Sequence, residues 1–268
     1  MLDPENLNGW TIAENVTKIP HETIDADLKA YARKLAVKAV LRRAFQLIGP
    51  IRPAKKQVAE VLSEPFRGEL DTERTLENLI GKEYPDPEDW IALRREQKRV
   101  QIALMMDTSM SMSGKKLALA AVAAAVLSMR VPIKDLAHIA FDSTAHTLSH
   151  LNSREPTETI VDKIFKHSAR GYTNIEAALR EGREAFERGG VNRKVGLLIT
   201  DGIYTAGGSP VEEASLFPRL FVFQTEEHKV DSGLCEKMAR VGKGRSIPVR
   251  GYEDLPQKML DMANQMLR

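Results

Sequence analysis

Three short stretches carry oxygen donors at spacings that fit one chemistry: Asp107-Thr108-Ser109-Met110-Ser111, Gly171-Tyr172-Thr173-Asn174 and Asp201-Gly202. Carboxylates and hydroxyls suit a hard divalent cation, whereas a softer metal favours His or Cys, and neither stands in these stretches. Mg²⁺ keeps several waters in a near-octahedral shell, so few protein ligands are needed. If the chain turns sharply at 107, alternate residues converge. Ser109 and Ser111 then bind directly, Asp107 ties the loop down through water, Thr173 reaches in from a second loop, and Asp201 stands behind a water on the far side. Such a site has few direct charges and an open coordination position that a partner's Asp or Glu could fill. Taken alone, Asp and Ser before a helix are ordinary N-caps; the metal reading rests on all three stretches together.

The elements around them explain how they could meet. Val100 to Met106 reads as an aliphatic strand, 114–129 as an Ala-rich helix and 136–141 as a strand, with 145–151 as its antiparallel neighbour. Helices follow at 155–167 and 175–188. Strands follow at 195–200, 220–224 and 246–249, with helices at 232–241 and 254–267. This alternation predicts an α/β fold with a doubly wound, mostly parallel sheet and one antiparallel edge strand. Open sheets of this kind place ligands beyond the carboxyl ends of their strands, which is where Asp107 and Asp201 fall.

Before residue 98 the pattern is helical. A long helix is expected over 22–48, with Ile24, Leu28, Tyr31 and Leu35 on one face and a drift toward Val37, Leu41, Phe45 and Ile48. Shorter helices are expected over 53–62 and 73–81, and a turn at Tyr84-Pro85-Asp86-Pro87. The chain thus divides into a helical N-terminal region, 1–97, and an α/β domain, 98–268.

The 268 residues are 43% hydrophobic and 28% charged, a balance able to bury a core. The single cysteine, Cys235, excludes an intramolecular disulfide framework and any multi-thiolate metal site; in its helical pattern it reads as core. No apolar run reaches the ~20 residues that span a bilayer, and the first residues lack the basic start of a secretory signal, so a cytoplasmic location is expected. The net charge of +2 conceals blocks: residues 1–27 are net −5, 28–59 net +9 and 60–96 net −6. The basic block includes Arg42 and Arg43. A solvated face explains it most simply, an acidic protein partner next, and nucleic acid or an anionic membrane last; the acidic flanks also offer an intramolecular clamp.

An aliphatic strand followed by D-x-S-x-S, a later G-x-T, and an aliphatic strand followed by T-D-G resemble the von Willebrand factor A domain, over roughly residues 98–268. The resemblance implies a metal-ion-dependent adhesion site built from Asp107, Ser109, Ser111, Thr173 and Asp201. It implies Mg²⁺ as the cofactor, with Mn²⁺ or Ca²⁺ as alternatives. Met110 stands where Gly is frequent and Asn174 where Asp often follows the Thr; Met110, Tyr172 and Asn174 would then border the partner surface. The whole chain is similar to the intracellular CoxE-type proteins and the magnesium-chelatase D subunit, on Arg67-Gly68-Glu69-Leu70-Asp71, Gly207-Gly208-Ser209-Pro210, the 239–244 stretch and Asp254-Leu255-Pro256. That resemblance implies a non-catalytic adaptor partnered with a MoxR-type AAA+ ATPase in remodelling or metal-cofactor maturation of a client. The chain itself has no Walker A pattern. Two competing readings are a metal-dependent phosphohydrolase and an RNA-associated scaffold using the basic helix 28–59. The first lacks a D-x-D acid pair and an evident general base.

Overall fold

The computed structural model describes residues 9–16, 26–49, 56–61, 69–96, 99–109, 112, 114–167, 171–226 and 230–267. Met110, Ser111 and the expected helix start at 22–25 lie outside them. In chain order the elements are α1 (Gly9–Asn15), α2 (Ala26–Ile48), β1 (Lys56–Val61), β2 (Glu69–Leu70), α3 (Thr72–Leu79), β3 (Ile91–Glu96), β4 (Gln101–Asp107), α4 (Lys115–Arg130), β5 (Leu136–Phe141), β6 (Ala145–Ser149), α5 (Thr157–Lys166), α6 (Ile175–Ala185), β7 (Lys194–Thr200), α7 (Val211–Ser215), β8 (Leu220–Glu226), α8 (Ser232–Val241), β9 (Ser246–Arg250) and α9 (Leu255–Leu267). They form two compact units, one from 1–51 with 100–266 and one from 52–99 with the last two residues.

The larger unit is built on a six-stranded sheet of order β6-β5-β4-β7-β8-β9. All pairings are parallel except β5 with β6. The expected α/β sheet with one antiparallel edge strand is therefore present. β4 and β5 are buried along their whole length, as strands covered on both faces must be. Successive side chains point to opposite faces. Ala103 and Met105 of β4 and Ile139 of β5 pack with Leu179 of α6 and Met238 of α8. On the opposite face His138 of β5 meets Ser128 of α4 at 2.9 Å.

α4 is buried at every position from Leu117 to Ser128. A helix apolar on all sides needs cover on all sides. Its outer surface is covered by α1 and α2, which pack on it, and α2 also packs on α5. Arg33 of α2 donates to Asp162 of α5 at 2.7 Å. The residues α2 buries are Ala36, Val37, Val40 and Ala44. The expected face is buried only in part: Val37 is 2% exposed, but Leu28 is 57% exposed, Tyr31 60% and Phe45 63%. Contact with an alanine-rich helix selects small side chains for close approach, and the large ones turn outward.

The smaller unit differs from the sequence reading. β1, β3 and β2 form a three-stranded antiparallel sheet where only helices were expected. The 53–62 stretch is not helical over 56–61, which is strand β1. Its register runs from Lys56 opposite Glu96 to Val61 opposite Ile91. A run as short as Lys-Gln-Val-Ala-Glu-Val fits either element, and pairing with a strand thirty residues on decides the outcome. α3 is capped by Asp71, which accepts from the Arg74 N–H at 3.2 Å, and is tied to β3 through Thr75, whose Oγ1 accepts from the Ile91 N–H at 3.0 Å.

Candidate metal centre

Three parallel strands, β4, β5 and β7, end side by side, and each is followed at once by an aspartate: Asp107 closes β4, Asp142 follows β5, and Asp201 follows β7. Their carboxyl ends mark one edge of the sheet. Backbone bonds then join the loops that leave it. Thr108 binds the Phe141 carbonyl twice, through its N–H at 2.8 Å and its Oγ1 at 3.0 Å. The Asn174 N–H donates to the Asp142 carbonyl at 2.8 Å, and the Tyr172 N–H to Ser143 Oγ at 3.0 Å. The Thr173 N–H donates to Thr205 Oγ1 at 2.9 Å, and its carbonyl accepts from the Thr205 and Ala206 N–H groups at 2.9 and 3.1 Å. Thus the β4 loop is bound to the end of β5, that end to the Thr173 loop, and the Thr173 loop to the loop after Asp201.

Two glycines make the turns possible. Gly171 has φ +94°, and a Cβ there would stand 2.4 Å from Ser143 Oγ. Gly202 has φ +82°, and a Cβ there would stand 2.7 Å from both the Asp231 carbonyl oxygen and Cys235 Sγ. Both conformations are open to glycine and strained for other residues.

Within this frame Asp107 is 2% exposed and accepts from the Ser109 N–H at 2.8 Å. Burial pushes its carboxyl up to about 7, against the bonds from Ser109, and the charges of Asp201 and Asp142 push the same way. Burial also raises Asp201, opposed by the Ile203 N–H, which donates to its Oδ1 at 2.9 Å, and by the charge of Lys116. Ser109 and Thr173 are buried as well. Desolvated carboxylates at one sheet edge, with hydroxyls on the same loops, are groups that could hold a hard divalent cation, which would relieve the unfavourable charge.

Of the five expected ligands, Asp107, Ser109, Thr173 and Asp201 are described, and they lie on the joined loops. Ser111 and the rim residue Met110 lie outside the described residues. Tyr172 is exposed on the rim. Asn174 is half-buried and also positions its loop. Its side chain caps α6 by accepting from the Ala177 N–H at 3.0 Å and donates to the Ser143 carbonyl at 3.3 Å. Arg42 stands exposed on α2, whereas Arg43 stacks over the Trp10 ring at 4.1 Å. Asp142 and Thr205 were missed in the sequence. Asp142 had the same signal as the other two aspartates, a carboxylate directly after an aliphatic strand.

The chain is similar in fold to BatB from Bacteroides thetaiotaomicron, with 19% identity over 62% of this chain and 98% of that one and a TM-score of 0.51. It is also similar to a von Willebrand factor type A protein from Catenulispora acidiphila, with 15% identity over 66% and 45% of the chains and a TM-score of 0.53. Proximal thread matrix protein 1 from the mussel byssus is similar at 20% identity over 64% and 47%, with a TM-score of 0.55. No curated protein matches the sequence. The family described as VWA domain containing CoxE-like protein matches residues 47–215, a span that contains all five expected ligands. On that match over more than half its length, the chain belongs to the CoxE-like family of von Willebrand factor A domain proteins.

Proposed function

We propose that this protein is a non-catalytic, Mg²⁺-dependent binding module that captures a carboxylate of a partner protein. The observation that carries this reading is Asp107, a buried carboxylate raised to about 7 and pressed by Asp201 and Asp142 at the edge where the three loops join. A bound Mg²⁺ would supply a Lewis-acidic position for an exogenous carboxylate oxygen. Asp107, Ser109, Ser111, Thr173 and Asp201 are the residues that would hold it. Domains of this family generally serve as interaction modules, which agrees with the reading. The partner is a MoxR-type AAA+ ATPase or its client in the cytoplasm, the role being remodelling or metal-cofactor maturation of that client.

The test is affinity purification of the tagged full chain with a candidate MoxR-type ATPase. It is run in Mg²⁺, in EDTA, and with Asp107→Ala. The expected result is capture in Mg²⁺ that is lost in the other two arms. Equal capture in all three arms would overturn the metal-dependent reading.

A further inference from the structure

The loops that would hold the metal also present two large aromatic side chains to solvent. Tyr172 immediately precedes Thr173 and is 68% exposed, and Tyr204 immediately precedes Thr205 and is 40% exposed. The bonds between Thr173 and Thr205 join the two loops at the residues next to these tyrosines. Neither backbone is slack. Tyr172 is pinned by its N–H to Ser143 Oγ and by the turn at Gly171. The loop bearing Tyr204 is held at its start by the Ile203 N–H on Asp201 and further on by the Gly208 N–H, which donates to Glu176 Oε2 at 2.6 Å.

We infer that Tyr172 and Tyr204 form an aromatic clamp beside the metal position and select a partner segment whose acidic residue is flanked by a proline or another apolar side chain. The inference rests on the metal reading above and adds a sequence requirement to it. A carboxylate alone does not distinguish one acidic segment from another. Selectivity comes from what lies beside it. Single exposed apolar residues are ordinary, but a pair of aromatics on bonded loops around a charged centre has the composition of an interface hot spot. Tyrosine offers a wide apolar face, a hydroxyl for a peptide carbonyl, and only two side-chain torsions to immobilise. Because the backbone at both tyrosines is held by these bonds, binding costs little further ordering there.

The experiment is a selection from a displayed random peptide library on the full-length protein, in Mg²⁺ with elution by EDTA. Selected peptides are then titrated against wild type, Tyr172→Ala, Tyr204→Ala and the two Tyr→Phe variants. Calorimetry with Mg²⁺ alone is run on each protein. The expected peptides contain Asp or Glu with an apolar residue or proline within two positions. Each alanine variant weakens them about tenfold beyond any change in its Mg²⁺ affinity, while the phenylalanine variants keep most of the binding. EDTA-sensitive peptides that bind the alanine variants as well as wild type would overturn the clamp and leave the metal reading standing. Mg²⁺ binding without recovery of EDTA-sensitive peptides would also overturn it. Absence of Mg²⁺ binding by wild type would remove the metal reading and the clamp together.

Discussion

Thr173 and Thr205 exchange hydrogen bonds between two loops: the Thr173 N–H donates to Thr205 Oγ1 at 2.9 Å, and the Thr205 N–H donates back to the Thr173 carbonyl at 2.9 Å. Thr205 is thus a positioning residue for an expected ligand. Groups that orient ligands commonly change metal affinity 10- to 100-fold when removed. Thr205→Val keeps the shape and the backbone bond and removes the acceptor. It should weaken Mg²⁺ binding by about tenfold in calorimetry, with a melting temperature near that of wild type in EDTA. Unaltered Mg²⁺ affinity would show that the pair does not hold Thr173 for the metal.

Asp107 is costly to the metal-free fold, because a carboxylate is buried there near two others. Asp107→Asn keeps an acceptor for the Ser109 N–H and removes the charge. In EDTA at neutral pH it should be more stable than wild type by about 1 kcal/mol or more. In Mg²⁺ the order should reverse, since a ligand that binds only the native state stabilises it in proportion to the logarithm of its concentration. Thermal melts of both proteins across a Mg²⁺ series check both signs. A less stable variant in EDTA would mean that Asp107 is held by favourable contacts and not by a missing cation.

Asp107 and Asp201 were legible in the sequence because each ends a run of aliphatic residues, and the strand order puts both runs on the same sheet edge. Asp142 obeys the same rule and was passed over, since the hairpin from β5 to β6 makes a short Asp-Ser-Thr link look like a simple turn. The strands β1 and β3 were not legible. Their pairing is non-local, and runs such as Lys-Gln-Val-Ala-Glu-Val carry as much charge as a surface helix. The facing of α2 was also misjudged. Periodicity marks Val37, which is buried, but also Leu28, Tyr31 and Phe45, which are exposed; beside Val37 the helix buries the small residues Ala36, Val40 and Ala44.

His138 should set part of the acid limit of the fold. Ser128 Oγ donates to the Ala124 carbonyl at 2.8 Å and so accepts from His138 Nε2, which leaves Nδ1 buried without a partner among the described residues. Burial lowers its value from 6.5 to about 3. Between those values the unfolded chain takes up a proton that the folded chain refuses, so stability falls as pH falls. The slope from this one group is about 1.4 kcal/mol per pH unit. Urea unfolding of wild type and His138→Gln at pH 7, 6 and 5 (about the start and upper part of that window) should show a shallower acid loss in the variant. Parallel curves would mean that His138 is protonated in the fold.

The N-terminal helices should be indispensable to the sheet unit, because α4 has no polar face to offer water. Its residues from Leu117 to Ser128 are all buried, and α1 and α2 are what pack on its outer side. A chain beginning after Gly49 would expose that surface and should aggregate or bind a hydrophobic dye. Point changes separate cover from mere presence. Val40, fully buried on α2, should cost about 2 kcal/mol as Val40→Ala and several kcal/mol as Val40→Asp, which leaves a carboxylate without compensation. Leu28→Ser and Phe45→Ser alter the exposed side of the same helix and should stay within about 0.5 kcal/mol of wild type. Chemical unfolding of the four variants makes the comparison. If the exposed pair proved as damaging as Val40→Ala, the helix would be held by its large apolar residues after all, and α4 would owe its burial to something other than α2.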